Sequence, residues 1–314
     1  MTDDEALALA RDAAAAWGAT GTPTLIRNRE NAVFRIALPS GPAALRLHRL
    51  GYQTAAAIRS ELWMCEAMAQ IGAPVPQAVR TLGGDLLHPL PGGRLSSVIG
   101  WIDGVVIGEG GVPLPGDAPA QAGLHRRLGA TLAQVHRAAD ALDLPPGIER
   151  HRWNRAGLLG ETPLWGPFWD HPLLDQAERR RMAAIRAECD ARLATYEDQR
   201  PDVGFIHADV LRENVLEGHA MTLIDFDDSG FGFRLYDLGT ALSQNLTEPN
   251  GAAIRDALIE GYGTLTPVDI AMLDVFTLLR CLASVGWTAG RLPPGDPRHA
   301  AYIRRAFLAA ERAL

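Results

Sequence analysis

His207-Ala208-Asp209-Val210-Leu211-Arg212-Glu213-Asn214, followed past the turn Glu217-Gly218-His219 by Leu223-Ile224-Asp225-Phe226-Asp227-Asp228, decides how this chain is read. An aspartate and an asparagine stand five positions apart, and the apolar pieces on either side of the turn suit a hairpin. Such a hairpin folds Asp225 back beside Asn214 and leaves Asp209 in front of both. Phosphoryl transfer needs a cluster of this kind: a hard cation bridging phosphate oxygens prefers oxygen ligands, and an incoming hydroxyl needs an acceptor for its proton. Asn214 and Asp225 are suited to the first task and Asp209 to the second. The competing reading is a set of Asp and Asn residues that form turns and cap helices.

Upstream, Thr2 or Asp3 caps an alanine-rich helix running to Trp17 and stopped by Gly18. Asn31 to Leu38 alternates, with Ala32, Phe34, Ile36 and Leu38 on one face, and Pro39-Ser40-Gly41-Pro42 turns the chain into a second strand at Ala44 to Leu50. In that strand Leu45 and Leu47 point one way, Arg46 and His48 the other. Ile58, Leu62, Cys65 and Ala69 recur at helical spacing over Thr54 to Gln70, which places Glu61 on a helix directly after the hairpin. Further strands are expected at Val75 to Arg80, Asp85 to Pro89 and Leu95 to Ile102. The result is an α+β lobe, a small antiparallel sheet with one packed helix. Gly104 to Ala120, rich in Gly and Pro, reads as a crossing. Helices are then expected over Gln121 to Ala139, Asp175 to Tyr196, Ala252 to Tyr262, Val268 to Gly286 and Pro297 to Leu314, interrupted by one strand-like stretch at Phe205 to Phe226. Two lobes follow, residues 1–103 for nucleotide and 104–314, mainly helical, for catalysis and substrate.

Composition sets outer bounds. With 314 residues the chain exceeds what one hydrophobic core supports, and 47% hydrophobic residues exclude global disorder. A net charge of −7 argues against a nucleic-acid partner, whose phosphates need clustered positive charge. There is no lysine at all, so any site that ordinarily uses one must use another residue. Cys65, Cys189 and Cys281 form no CxxC pair and suggest neither disulfides nor a zinc site. The acidic start, Met1-Thr2-Asp3-Asp4-Glu5, is wrong for a signal peptide, and no apolar run is long enough for a membrane span, so a cytoplasmic protein without a membrane partner is expected.

The motif residues resemble those of the aminoglycoside phosphotransferase and choline kinase superfamily, relatives of the protein kinases, over nearly the whole chain. His207-Ala208-Asp209 to Asn214 is similar to that family's catalytic loop and Ile224 to Asp228 to its metal-binding segment. The resemblance implies a protein-kinase-like two-lobed fold, ATP and Mg2+ as cofactors, and transfer of the γ-phosphoryl group to a small-molecule hydroxyl. It implies Asp209 as catalytic base, Asn214 and Asp225 as magnesium ligands with Asp227 assisting, and His207 and Asp237 as structural support for the loop. Asp237 reads equally as a helix N-terminal residue favoured by the macrodipole. The family's phosphate-holding lysine is replaced here by Arg46, with Glu61 as its helix partner; the alternative is an exposed strand arginine and an exposed helix glutamate. No G-x-G-x-x-G precedes these strands, so Arg27 to Val33 would cover phosphate, with Asn31 as the contact. Backbone groups near Gly100 and Ile102 would meet adenine at the hinge, where Trp101 equally suits plain packing.

The protein-kinase pattern has Gly after Asp-Phe, whereas this chain has Asp227, which argues against regulation by flipping of that segment. Trp153, Trp165 and Trp169, with Phe168, Glu161, Asp170 and Asp228 as further candidates, either enclose a cationic amine or pack an insertion onto the helical lobe. Two further functional readings stand beside the first. One is a Ser/Thr protein kinase like the stress-response kinases that the chain also resembles; the other is a nucleotide-binding module without catalysis.

Overall fold

The computed structural model of the chain describes residues 1–29 and 31–314; position 30, in the turn expected to cover phosphate, lies outside the described residues. In chain order the elements are α1 (Asp3–Ala15), β1 (Thr20–Asn28), β2 (Ala32–Leu38), β3 (Gly41–Leu47), α2 (Ala55–Gln70), β4 (Ala78–Val79), β5 (His88–Pro89), β6 (Leu95–Gly100) and β7 (Gly104–Val106). There follow α3 (Ala118–Asp140), β8 (His151–Trp153), α4 (Arg155–Leu159), α5 (Gln176–Glu197), β9 (Val203–Ile206), β10 (Val215–Gly218), β11 (Met221–Leu223) and β12 (Gly230–Phe233). Helices α6 (Leu235–Ser243), α7 (Gly251–Tyr262), α8 (Pro267–Arg291) and α9 (Pro297–Ala313) complete the chain.

Two compact units form. The first holds residues 1–105, 141–150 and 216–227, and the second holds 106–140, 151–215 and 228–314. The first unit thus takes in two later segments of the chain besides its N-terminal part.

In the first unit the main sheet runs β1-β2-β3-β6-β4, with β5 on β6, and its pairings are antiparallel. Cross-strand partners Ala32 and Leu47, Phe34 and Leu45, and Ile36 and Ala43 share one face. They bury against Ala6, Ala10, Ala13 and Trp17 of the α1 region. Because side chains alternate along a strand, Arg46 lies on the other face, the one that meets α2. On α2, capped by the Thr54 side chain accepting from Ala57 N–H, Ile58 and Leu62 pack with Ala78, Leu86 and Leu87. The expected α+β lobe is therefore present, with α1 as a second helix on its sheet. Strand β1 was not legible; most of its residues are exposed, so it carries no alternation. β3 begins at Gly41 rather than Ala44, and β11 and β10 pair as the hairpin expected around Gly218.

The second unit is mainly helical. The five long helices expected there appear as α3, α5, α7, α8 and α9. Its strands β8, β12 and β9 form a small sheet, parallel on one side of β12 and antiparallel on the other. Gly230-Phe231-Gly232-Phe233 can sit there because it lacks two Cβ atoms: one at Gly230 would meet His151 O at 2.3 Å, and one at Gly232 would meet Trp153 O at 2.5 Å. Helices α3 and α7 approach even more closely: a Cβ on Gly261 would lie 1.9 Å from Arg126 O. Gly261→Ala is expected to cost about 3 kcal/mol through forced separation of the two backbones, read as a lowered Tm in thermal unfolding. No helix among the described residues is long and apolar enough to cross a membrane.

Candidate active site

Within the second unit, β9 delivers His207-Ala208-Asp209 and a 3-10 turn over Arg212–Asn214 closes the loop. Asn214 Nδ2 donates to Asp209 Oδ2 at 2.8 Å and to Asp209 O at 2.9 Å. His207 is fully buried, and its Nδ1 accepts from the Asp209 N–H at 3.2 Å. Asp237, near the start of α6 and wholly buried, accepts from two successive backbone N–H groups, His207 at 2.8 Å and Ala208 at 2.6 Å. His136 Nε2 lies 3.0 Å from the same carboxylate and its Nδ1 lies 2.9 Å from the Tyr262 hydroxyl. The tautomer with Nε2–H donating to Asp237 and Nδ1 accepting from Tyr262 satisfies both contacts.

These bonds force a conformation the chain would otherwise avoid. Ala208 has φ 66°, and of the non-glycine residues described only Arg200 and Asp225 share the left-handed region. A left-handed non-glycine residue costs on the order of 1 kcal/mol and persists where its surroundings over-determine it. Asp237→Ala should strand two buried N–H groups and lower stability by about 2–5 kcal/mol, with loss of activity in the fraction that folds. Thermal unfolding alongside a rate measurement checks both.

Two further groups in this unit were not singled out from the sequence. Arg280, on α8, donates from Nη2 to Asp209 Oδ1 at 2.6 Å. Its signal was a lone charge in an otherwise uncharged stretch, Val275 to Gly286, but sequence gives no partner for it. Arg212 is buried in an ion pair with Glu248 at 2.7 Å and also donates to Val112 O at 2.7 Å, which anchors the far end of the loop. Among the expected substrate residues, Trp153 is a core residue, 1% exposed, stacked on Tyr236 and donating to Asp228 O at 2.8 Å. Trp165 carries the Arg280 guanidinium 4.6 Å from its ring centroid, and Trp169 carries Arg186 at 3.9 Å. Each of these two indole faces already holds a cation of the chain itself.

Within the first unit, Arg46 Nη1 donates to Glu61 Oε1 at 2.9 Å and Nη2 to Asp225 Oδ1 at 3.3 Å, with Asp227 Oδ1 3.8 Å from Nη1. Burial works against the guanidinium charge, but Glu61, Asp225 and Asp227 outweigh it and hold its pKa above the ordinary value. Arg46 is thus neither exposed nor isolated. Asn31 donates to Asp227 Oδ2 at 3.2 Å and accepts from Arg49 N–H at 2.9 Å. Gln53 Nε2 donates to both Asp227 O and Oδ1. Arg150, which no sequence signal marked, donates to Phe226 O at 3.1 Å, Asp227 O at 2.6 Å and Gln53 Oε1 at 2.9 Å. Asp225 itself stays half exposed at φ 66°, its carboxylate available beside a fixed cation. At the expected hinge, Gly100 N–H donates to Gln77 O at 2.8 Å, Ile102 is half-buried, and Trp101 sits under Arg35.

The donor sets fit the chemistry of a magnesium nucleotide. Within the first unit, Asp225 and Asp227 present carboxylate oxygens of the kind a hard divalent cation takes, beside Arg46, whose forked donors suit phosphate; within the second unit, Asn214 presents an amide oxygen next to the Asp209 carboxylate.

A sheet-and-helix unit with a buried arginine–glutamate pair, joined to a helical unit with a pinned Asp–Asn loop, defines a protein-kinase-like phosphotransferase. Residues 23–273 match the phosphotransferase enzyme family, and the chain belongs to it. A homoserine kinase of Agrobacterium fabrum is 28% identical over 225 residues, 69% of this chain and 63% of that kinase. Among solved structures, a microcompartment-associated aminopropanol kinase superposes with a TM-score of 0.81 at 25% identity, covering 98% of this chain and 96% of that one. An amicoumacin kinase in complex with AMP-PNP and Ca2+ shares the fold with a TM-score of 0.76 at 17% identity, over 99% and 94% of the two chains.

Proposed function

We propose that this enzyme transfers the γ-phosphoryl group of ATP to a hydroxyl of a small molecule, with Mg2+ held by Asn214, Asp225 and Asp227. The observation that carries the reading is the pinned loop in which Asp209 and Asn214 hydrogen-bond to one another at 2.8 Å. Asp209 accepts the proton of the acceptor hydroxyl as its oxygen attacks phosphorus. Arg46 holds phosphate oxygens, and Glu61 orients it as the helix glutamate orients the strand lysine in protein kinases. A cation held by these three residues would supply charge neutralisation on the transferred group. Positioning and charge compensation supply most of the acceleration, so no covalent enzyme intermediate is required. Backbone groups of Ile102 and the carbonyl side of Gly100 serve adenine, the Gly100 N–H being engaged by Gln77. Asn31 steadies Asp227 rather than reaching phosphate directly.

Amino alcohols are the first acceptors to test, because the similar proteins are named homoserine kinase and aminopropanol kinase. We assign the substrate side to Asp228, and Trp153 to packing, the rings of Trp165 and Trp169 being taken up by Arg280 and Arg186. The test is incubation with labelled ATP and Mg2+ against a panel of amino alcohols, choline, sugars and aminoglycosides, with a parallel incubation in cell lysate. Labelled metabolite is the expected result; label confined to protein bands would favour the protein-kinase reading instead.

A further inference from the structure

Every residue of α8 from Val275 to Gly286 is buried, and Arg280 is the one charged residue among them. Its guanidinium is held at three points. Nη2 donates to Asp209 Oδ1 at 2.6 Å, Nη1 donates to Ser284 Oγ one turn along the same helix, and Cζ lies 4.6 Å from the Trp165 ring centroid. The remaining donor, Nε, is buried without a hydrogen-bond partner among the described residues. Folding alone gives no reason for this arrangement. A buried ion pair is often no more stabilising than apolar residues of the same volume, and an orphaned buried N–H adds a further cost. A methionine or leucine would fill this position on α8 at less expense.

What the arrangement does provide is direction. A carboxylate on a loop is free to turn about its side-chain torsions, and the hydrogen bond that Asp209 accepts from Asn214 comes from an amide that the proposed function assigns to the cation. A guanidinium fixed by a stacking face and a second hydrogen bond cannot follow such a rotation, so it dictates where Oδ1 lies. We propose that Arg280 is a positioning residue that holds the Asp209 carboxylate in the orientation that receives the acceptor hydroxyl, with Trp165 and Ser284 fixing Arg280 in turn. This inference rests on the functional reading above. It also gives Trp165 a role, as the surface that holds the arginine plane.

The experiment compares wild type, Arg280→Gln and Arg280→Lys in steady-state kinetics with Mg-ATP and an alcohol that the wild type phosphorylates, together with thermal unfolding. Arg280→Gln is expected to lose about 100-fold in kcat, the scale of an ångström-level misplacement, with the KM for Mg-ATP within about threefold of wild type. Arg280→Lys keeps the charge but not the fork or the stacking plane, and is expected to recover about tenfold of that loss. A folded Arg280→Gln enzyme with wild-type kcat overturns the proposal, as does a loss in which kcat, both KM values and Tm all deteriorate together. Should Arg280→Gln fail to fold, Arg280→Lys decides alone: a drop of about tenfold in kcat at unchanged KM for Mg-ATP supports the proposal, and a wild-type kcat overturns it. A wild-type enzyme that phosphorylates no alcohol overturns the functional reading and this inference with it. Transfer by wild type that Arg280→Gln matches overturns this inference alone.

Discussion

Asp209→Asn is expected to lower kcat on the order of 10³-fold, within the range ascribed to a positioned general base, while the KM for Mg-ATP changes little. The substitution preserves volume and keeps one side-chain oxygen, so contacts to Arg280 and Asn214 at 2.6 and 2.8 Å can be partly retained. What it removes is the negative charge and the capacity to take a proton. The loop should therefore stay in place, since His207 and Ala208 are pinned through their backbone N–H groups by Asp237 rather than by Asp209. Measured separately, nucleotide affinity and unfolding temperature close to wild type together with a collapsed kcat would isolate the chemical role. Near-normal turnover would show that another group accepts the proton.

Asp225→Ala should act differently, on nucleotide and metal rather than on the acceptor. Its carboxylate is half exposed, accepts from Arg46 at 3.3 Å and sits on a left-handed backbone. Loss of a cation ligand is expected to cost several kcal/mol of transition-state stabilisation, on the order of 10³-fold in kcat/KM for Mg-ATP. Calorimetric titration with ADP should show the Mg2+-dependent part of binding greatly weakened. Alanine also relieves Arg46 of one of its three carboxylates, so binding of ADP without Mg2+ is expected to fall less than binding with it. Equal losses with and without the metal would reassign Asp225 to a structural role.

The parts of the molecule that were legible in the sequence are those in which local spacing and chemistry coincide. The alternation through Ala32 to Leu47 fixed which side of β3 carries Arg46, and the spacing of Ile58 and Leu62 put Glu61 on the helix that meets it. Other features depend on partners distant in sequence. Arg280 reaches Asp209 across 71 positions and Arg150 reaches the Asp227 carbonyl across 77, and neither belongs to a local motif. Strand β12 is half glycine, so its sequence lacks strand signals; its register depends instead on the close approach of β8. The aromatic stretch around Trp165 was ambiguous for a related reason. An indole packs equally well against an external amine or an internal arginine, and only the fold brings Arg186 and Arg280 to those rings.

The most direct test of the account follows phosphorus itself. In 31P NMR of the wild-type enzyme with ATP, Mg2+ and an amino alcohol, a phosphomonoester resonance should grow in step with ADP, and Asp209→Asn should show neither on the same timescale. Appearance of ADP with inorganic phosphate alone, at equal rates with and without the alcohol, would contradict it.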